Sequence, residues 1–376
     1  MPTNLDTSID IVKFSQELKQ IGLQNGLDLV GISKAEKFQK TYYNLVSRKA
    51  LGLHGGMSFT YRNPKRSTDP INILPTAKTI IVGALSYLHP VPENPNIQNQ
   101  ALVARYSWQD YYQKLRDCLV SIQHRLLEAG FEAKIVIDDN ALVDKEAAYK
   151  AGLGWYGKNS LLLNVDKGSW LVLGSIITDA PLKYFDGKVG EKCGICTKCL
   201  NNCPTGALIS PGVLDANRCL AWLLQAPGLF PRDLREKLGA RIYGCDECQI
   251  VCPYNIKLQR KLEDHLDQKD EVFVDVMTIL TLDDEALLDK YGRWYIPKRQ
   301  PNYLRRNALV VLGNIGDNQD IELRSILIKY LTHSDPMLKV HAIWAGAKLG
   351  LDELSKWVDQ ENNSMVLEEL KEVGWV

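Results

Sequence analysis

No stretch of the 376-residue chain approaches the roughly 20 consecutive apolar residues that a membrane-spanning helix needs. Met1 to Ser15 carries Asp6 and Asp10 and has neither a basic head nor an apolar core, so no signal peptide is read. Neither sign of charge is in excess, because 45 Lys plus Arg balance 45 Asp plus Glu. That excludes a wholesale polycation and leaves room only for local basic patches. Cysteine is nearly missing outside one block: Cys118 stands alone, and the other eight fall between Cys193 and Cys252. With no secretory leader, such crowding points to metal ligands in a reducing compartment rather than to a disulfide framework. The expected location is cytoplasmic, with no membrane partner.

What is present reads as a mixed α+β chain with 45% hydrophobic residues, long enough for two or three domains. Ser8 to Gly22 reads as a capped helix, Leu27 to Ile32 and Thr79 to Leu88 as strands, and Pro90 to Gln100 as a surface loop. Tyr112, Leu115, Leu119, Ile122 and Leu126 recur at alternating steps of three and four, the mark of an amphipathic helix, ended by Gly130. Cys118 sits beside that seam as a small buried thiol. Ala133 to Ile137 forms a strand that delivers Asp138 and Asp139, and an Ala-rich helix closed by Gly152 follows. Leu161–Asn164 and Trp170–Thr178 flank a four-residue turn and read as a β-hairpin. Near the end, Asn307 to Gly316 resembles His341 to Gly350, a two-copy repeat that fits paired helices of the HEAT type.

Cys193, Cys196, Cys199 and Cys203-Pro204 match C-x2-C-x2-C-x3-C-P, the ligand run of bacterial two-cluster ferredoxins. Three thiolates two residues apart can wrap one face of an iron–sulfur cubane, and the fourth, redirected by proline, reaches the other cluster. Cys245, Cys248 and Cys252-Pro253 repeat the ending of the run, with the leading cysteine displaced to Cys219. By the crossed logic of that fold, one [4Fe-4S] cluster takes Cys193, Cys196, Cys199 and Cys252. The other takes Cys203, Cys219, Cys245 and Cys248. The competing reading is a pair of four-thiolate zinc sites, which a third close cysteine and Cys-Pro endings do not suit. Two such clusters relay electrons and need a second redox centre to receive them.

Ala151-Gly152-Leu153-Gly154-Trp155-Tyr156-Gly157-Lys158-Asn159, with Ile137-Asp138 upstream, resembles the epoxyqueuosine reductase family. So do Tyr243 to Gln249 around Cys245 and Cys248, and Lys65-Arg66 followed by Asp69-Pro70 and Leu74-Pro75. The likeness runs from the first helix to the helical tail. It implies a cobalamin-binding α/β-sandwich catalytic domain over residues 1–185 and a ferredoxin-like domain with two [4Fe-4S] clusters over 186–264. A HEAT-like helical domain that helps hold tRNA would follow over 265–376. It further implies reduction of epoxyqueuosine to queuosine at the wobble position of tRNA, the last step of queuosine biosynthesis. A low-potential donor such as flavodoxin or ferredoxin would supply electrons, and the protein would act as a monomer.

The same resemblance makes Asp138 the general acid, since an epoxide oxygen leaves badly without a proton. Asp139 stands where the family commonly has Ser or Thr, and fits a turn or helix-capping role. Arg66, Ala104, Asp138, Leu162, Leu173, Cys245 and Asp246 are the expected cobalamin contacts, although core packing explains Leu162 and Leu173 equally well. Gly152, Gly154 and Gly157 mimic G-x-G-x-x-G, but they follow a helix rather than a strand, so a tight connection is expected there. Between Gly292 and Gly316 five cations and no acid are interleaved with Trp294, Tyr295 and Tyr303. Lys298, Arg299, Arg305 and Arg306 are therefore expected to meet tRNA, against the alternative of a solvated helix face. Two other functions compete: a cobalamin-dependent reductive dehalogenase, and a ferredoxin-like electron carrier with no substrate of its own.

Overall fold

The computed structural model describes residues 10–90, 98–187, 189–262, 271–358 and 361–376. The first half is built on strands β1 (Leu29–Lys34), β2 (Thr79–Ser86), β3 (Gln100–Val103), β4 (Ala133–Ile137), β5 (Trp155–Tyr156), β6 (Leu162–Leu163) and β7 (Leu171–Thr178). Four of them form an antiparallel sheet in the order β1-β2-β7-β4. Helices cover both faces, which is why β2 reads as an apolar run without a polar side. Ile81 and Ile176 meet the helices Ile11–Gln24 and Tyr111–Glu128 on one face. Ile80, Val82 and Ile177 meet Ala147 and Ala148 of the helix Asp144–Lys150 on the other. The period-two alternation of a strand divides neighbours between the two layers in this way.

Ser8 and most of the Pro90–Gln100 loop lie outside the described residues. The first helix begins at Ile11, where Asp10 accepts from the N–H groups of Val12 and Lys13. Cys118 is buried, with its thiol against the Asn25 carbonyl at 2.9 Å. The expected hairpin is only partly formed. Asn164 bridges Gly168, but the flanks then part: β6 pairs with β5, while β7 is taken on both edges by β2 and β4.

Strands β8 (Leu208–Ser210) and β9 (Val213–Leu214) form a small ribbon in the cysteine-rich segment. Strands β10 (Arg241–Tyr243) and β11 (Phe273–Asp275) flank β3 in a three-stranded sheet. That sheet joins the N-terminal layers to the tail, so the packing units do not follow the sequential thirds read from the chain. One core holds Val103 and Trp108, then Leu220 to Tyr243, then the C-terminal helices up to Leu370. The stretch Leu220–Tyr243, assigned above to the cluster domain, packs with the helical tail because its apolar residues complete that core. Helices Asn302–Ile315 and Pro336–Lys348, which carry the repeated motif, pack against each other.

Candidate functional site

The eight clustered cysteines are all unpaired and partly exposed. Cys193, Cys196, Cys199 and Cys252 line a single cavity, together with Lys158 and Lys198. Cys219 lies within electrostatic reach of Cys203, and Cys245 and Cys248 within reach of Cys219. The fold thus gathers the cysteines into two sets of four, with Cys199 and Cys248 near enough to interact across the gap. Four sulfurs around one zinc, at Zn–S bonds of about 2.3 Å, would stand about 3.8 Å apart. Among the described residues no three His, Cys, Asp or Glu side chains converge to hold a single ion. Three cysteines spaced two residues apart with Cys-Pro endings suit an iron–sulfur cubane better than a four-thiolate zinc site.

Charge points the same way. Burial pushes the Cys245 thiol up to about 12, and burial followed by the neighbouring Cys245 and Cys219 pushes Cys248 well above the ordinary range. Such thiols become thiolates only where a strong positive charge, such as iron, offsets the desolvation. Lys145 approaches from the other side: burial, then Arg48, lowers its pKa, while Cys248, Asp144 and Cys219 act to raise it.

The Gly157-Lys158-Asn159 string fastens these loops to the first domain. Lys158 donates to the carbonyl of Gly194, between Cys193 and Cys196, and Asn159 donates to the carbonyl of Cys248. The glycines before it permit close packing rather than phosphate binding: a Cβ at Gly154 would stand 2.1 Å from the Leu163 carbonyl oxygen. A second clamp lies at Gly168, where φ is +62° and a Cβ would stand 2.0 Å from Asn255 Oδ1. That oxygen accepts from Ser169 N–H, and Asn255 Nδ2 donates to Ser169 Oγ and to the Gln249 carbonyl.

Asp138 directly follows β4 with φ of +46°, a left-handed backbone uncommon for a residue with a side chain. Its side chain is open to solvent but crowded by protein, as in a recess. Desolvation, then the adjacent Asp139, raises its pKa. Asp139 accepts from the Ala141 N–H at 2.8 Å, the turn role expected of it. Two residues that sequence reasoning passed over share the recess. Asp144 has an Oδ1 that is buried with no hydrogen-bond partner, and desolvation, then Asp138, raises its pKa well above the ordinary range. Tyr112 is raised for the same reasons, first burial and then Asp138. Asp144 lies six positions beyond Asp138, at the start of the next helix, and only the loop's return brings the two together.

Of the other expected cobalamin contacts, Arg66 is exposed and its guanidinium has no partner among the described residues. The Ser67 carbonyl accepts from Val143 N–H, and Ser67 Oγ donates to the Asn140 carbonyl, so this turn is tied to the loop that follows Asp138. Ala104, Leu162 and Leu173 are 5%, 3% and 8% exposed, so a ligand would meet their backbone or the edge of the core. Asp246 uses its carboxylate internally, accepting from Arg105 N–H at 2.8 Å and from Gln249 Nε2 at 3.0 Å. That pairing lays Ala104 beside the Cys245–Cys248 loop. A buried acceptor without a partner at Asp144 and a carboxyl raised by burial at Asp138, with the exposed Arg66 on the turn tied to that loop, fit a large polar-edged cofactor.

Arg305 and Arg306 do not face RNA. Arg306 is fully buried, and its guanidinium donates to the carbonyls of Ala226, Gly228 and Leu223 and to Asn307 Oδ1. Arg305 donates to Asp284 at 2.5 Å and to the Leu282 carbonyl at 2.9 Å. Both are spent on closing the helical core, so they offer nothing to a phosphate. Trp294 is likewise buried, stacked on Tyr243 at 4.8 Å. Lys298, Arg299 and Tyr295 are exposed, and Tyr295 N–H donates to the Tyr243 hydroxyl. Tyr243 in turn feels the charge of Asp138, which places Tyr295 near the recess.

Comparison with known proteins bears on the whole chain. Residues 192–255 match the family profile described as a 4Fe-4S double cluster binding domain, and residues 67–139 the one described as Epoxyqueuosine reductase QueG, DUF1730. Epoxyqueuosine reductase of Bacillus cereus is 32% identical over 373 residues, covering 96% of this chain and 97% of that one. The Escherichia coli enzyme of that name is 32% identical over 90% of each chain. Among solved structures, epoxyqueuosine reductase with an epoxyqueuosine-modified tRNA-Tyr stem loop superposes with a TM-score of 0.86 at 29% identity, covering 96% and 98% of the two chains. The Bacillus subtilis enzyme, solved with its aspartate catalytic loop swung out of the active site, gives 0.85 at 29% identity, covering 97% and 99%. With cysteine cradles and carboxylate recess joined in one fold, and with identity of this level over nearly the full length, the chain belongs to the epoxyqueuosine reductase family.

Proposed function

We propose that this protein reduces epoxyqueuosine to queuosine at the wobble position of tRNA. Asp138 would act as the proton donor, with two [4Fe-4S] clusters and cobalamin as cofactors. The observation that carries the reading is the placement of Asp138, a carboxyl raised toward its protonated form in its recess and linked through Asp144 and Lys145 to Cys219 and Cys248 of the second cysteine set. A bare electron carrier gives no reason for that recess.

The overall change consumes two electrons and two protons, opens the epoxide to an alkene and releases its oxygen as water. When bound, the clusters supply one-electron relay and cobalamin a cobalt centre for reducing the substrate. The chain would hold the clusters as the ferredoxin pattern implies: Cys193, Cys196, Cys199 and Cys252 for one, and Cys203, Cys219, Cys245 and Cys248 for the other. Arg66 would pair with a polar edge of the corrin, and Ala104 with the Cys245–Asp246 backbone would lie against its face.

Asp138 holds a proton on its carboxyl because the recess disfavours the anion, and it gives that proton to the leaving oxygen. Asp144 and Tyr112 keep the recess short of water and preserve that protonation. The left-handed backbone at Asp138 leaves the carboxylate on a short, distinct loop. The Bacillus subtilis relative, with its aspartate loop swung out, supports such a loop being able to move. Lys298, Arg299 and Tyr295 would receive the anticodon arm, and the repeated helices of the tail, read as HEAT-like, would support it. Nucleoside analysis of tRNA from cells lacking this protein tests the assignment: epoxyqueuosine should accumulate in place of queuosine, and normal queuosine would refute it.

A further inference from the structure

Resting on the assignment of one cluster to Cys193, Cys196, Cys199 and Cys252, we propose that the groove outside that cluster docks a small acidic protein that delivers one electron at a time. The groove lies between the short helices Lys198–Asn201 and Glu247–Ile250 and the helix Pro253–Gln259. Its floor is apolar, made by Ile250, Val251 and Ile256, and its polar lining among the described residues is Lys198, Asn202, Gln259 and Arg260, with no carboxylate. Lys198 also lines the cysteine cavity, so groove and cluster cradle are continuous. Ile195, between Cys193 and Cys196, is fully exposed, an apolar side chain left in water at the edge of the cradle.

Charge selects the partner. Among the described residues Lys198 and Arg260 form no ion pair, and the Lys192 ammonium makes only a cation–π contact with Trp155. The nearby Glu191 carboxylate is turned onto the Cys193 N–H at 3.1 Å. Unpaired cations around an apolar floor favour an acidic surface and speed its encounter. A contact this small suits the weak interfaces typical of electron transfer. The side of entry follows from what each set adjoins: Lys145 and Asp144 link Cys248 to the Asp138 recess, where a carrier would compete with substrate, whereas Ile195 beside Cys193 and Cys196 is fully exposed.

The test uses anaerobic holoprotein with reduced flavodoxin as the probe, following cluster reduction by stopped-flow absorbance. Gln259→Glu with Arg260→Glu should slow reduction by about tenfold and flatten its dependence on salt. Dithionite, which needs no docking, should reduce the variant at the wild-type rate, and iron and sulfide content should be unchanged. Lys371→Glu, on the far helix, serves as the control for net charge. An unaltered rate with flavodoxin, or an equal loss in Lys371→Glu, would overturn the proposal. Weakened stem-loop binding with normal reduction would assign the groove to RNA and overturn it as well. Wild-type protein without iron and sulfide would instead sink the cluster assignment beneath it.

Discussion

Asp144 stands within electrostatic reach of Asp138, with an Oδ1 that is buried and unpartnered among the described residues. Two carboxyls so placed cannot both ionise freely, so their protons belong to the pair rather than to either alone. Burial and Asp139 raise Asp138, and Asp138 in turn raises Asp144.

Replacing Asp138 by Asn keeps the shape of the recess and removes its proton. Turnover on epoxyqueuosine tRNA should fall by about 100-fold or more, with cluster and corrin content intact. Anaerobic turnover and metal analysis on one preparation check this, and undiminished activity would remove Asp138 from the chemistry.

The pH dependence follows from the direction of the shifts. Both carboxyls are raised, so the folded chain keeps protons that the unfolded chain would release. That stabilisation is complete below the ordinary Asp value of about 3.9 and fades as pH rises through the raised values. Activity that needs protonated Asp138 declines in the same direction. In Asp139→Asn, which removes the neighbouring charge that helps raise Asp138, the alkaline limb of the pH–rate profile should move to lower pH. An unmoved limb would mean the carboxyls titrate independently.

Arg306 and Lys298 should separate folding from RNA binding. Arg306→Ala strands several buried carbonyl oxygens and should cost about 3 kcal/mol of stability or more. Lys298→Ala should leave stability unchanged, weaken stem-loop binding and reduce its salt slope by about 1. Denaturation midpoints and binding at two or more salt concentrations distinguish the two. A stable Arg306→Ala protein would contradict the buried role.

Gly168→Ala places a Cβ against Asn255 Oδ1 at a positive φ. The turn must shift, breaking the Ser169–Asn255 clamp on the cysteine loops, and a loss of about 1–3 kcal/mol is expected. Thermal unfolding measures it, and faster loss of iron on exposure to air should accompany it.

Much of this was legible in the chain. The cysteine spacing pointed to two sets of four because ligand geometry writes itself into short intervals, and the seam from Leu115 to Leu126 marked a helix through its period. Arg305 and Arg306 misled because charge in a sequence says nothing of burial; here backbone carbonyls from residues 223–228 satisfy Arg306. The hairpin around Gly168 failed since β7 had stronger partners on both edges, a tertiary choice no local turn records. Asp144 was hidden for a similar reason: its importance arises only where the loop after β4 folds back over the recess.

The most direct measurement is mass analysis of the wobble nucleoside after anaerobic incubation of cluster-loaded, cobalamin-loaded protein with an epoxyqueuosine stem loop and a low-potential reductant. The expected result is loss of one oxygen atom from the nucleoside in wild type, and none in Asp138→Asn. Unchanged epoxyqueuosine with fully loaded wild-type protein, or equal conversion by the variant, would contradict the mechanism.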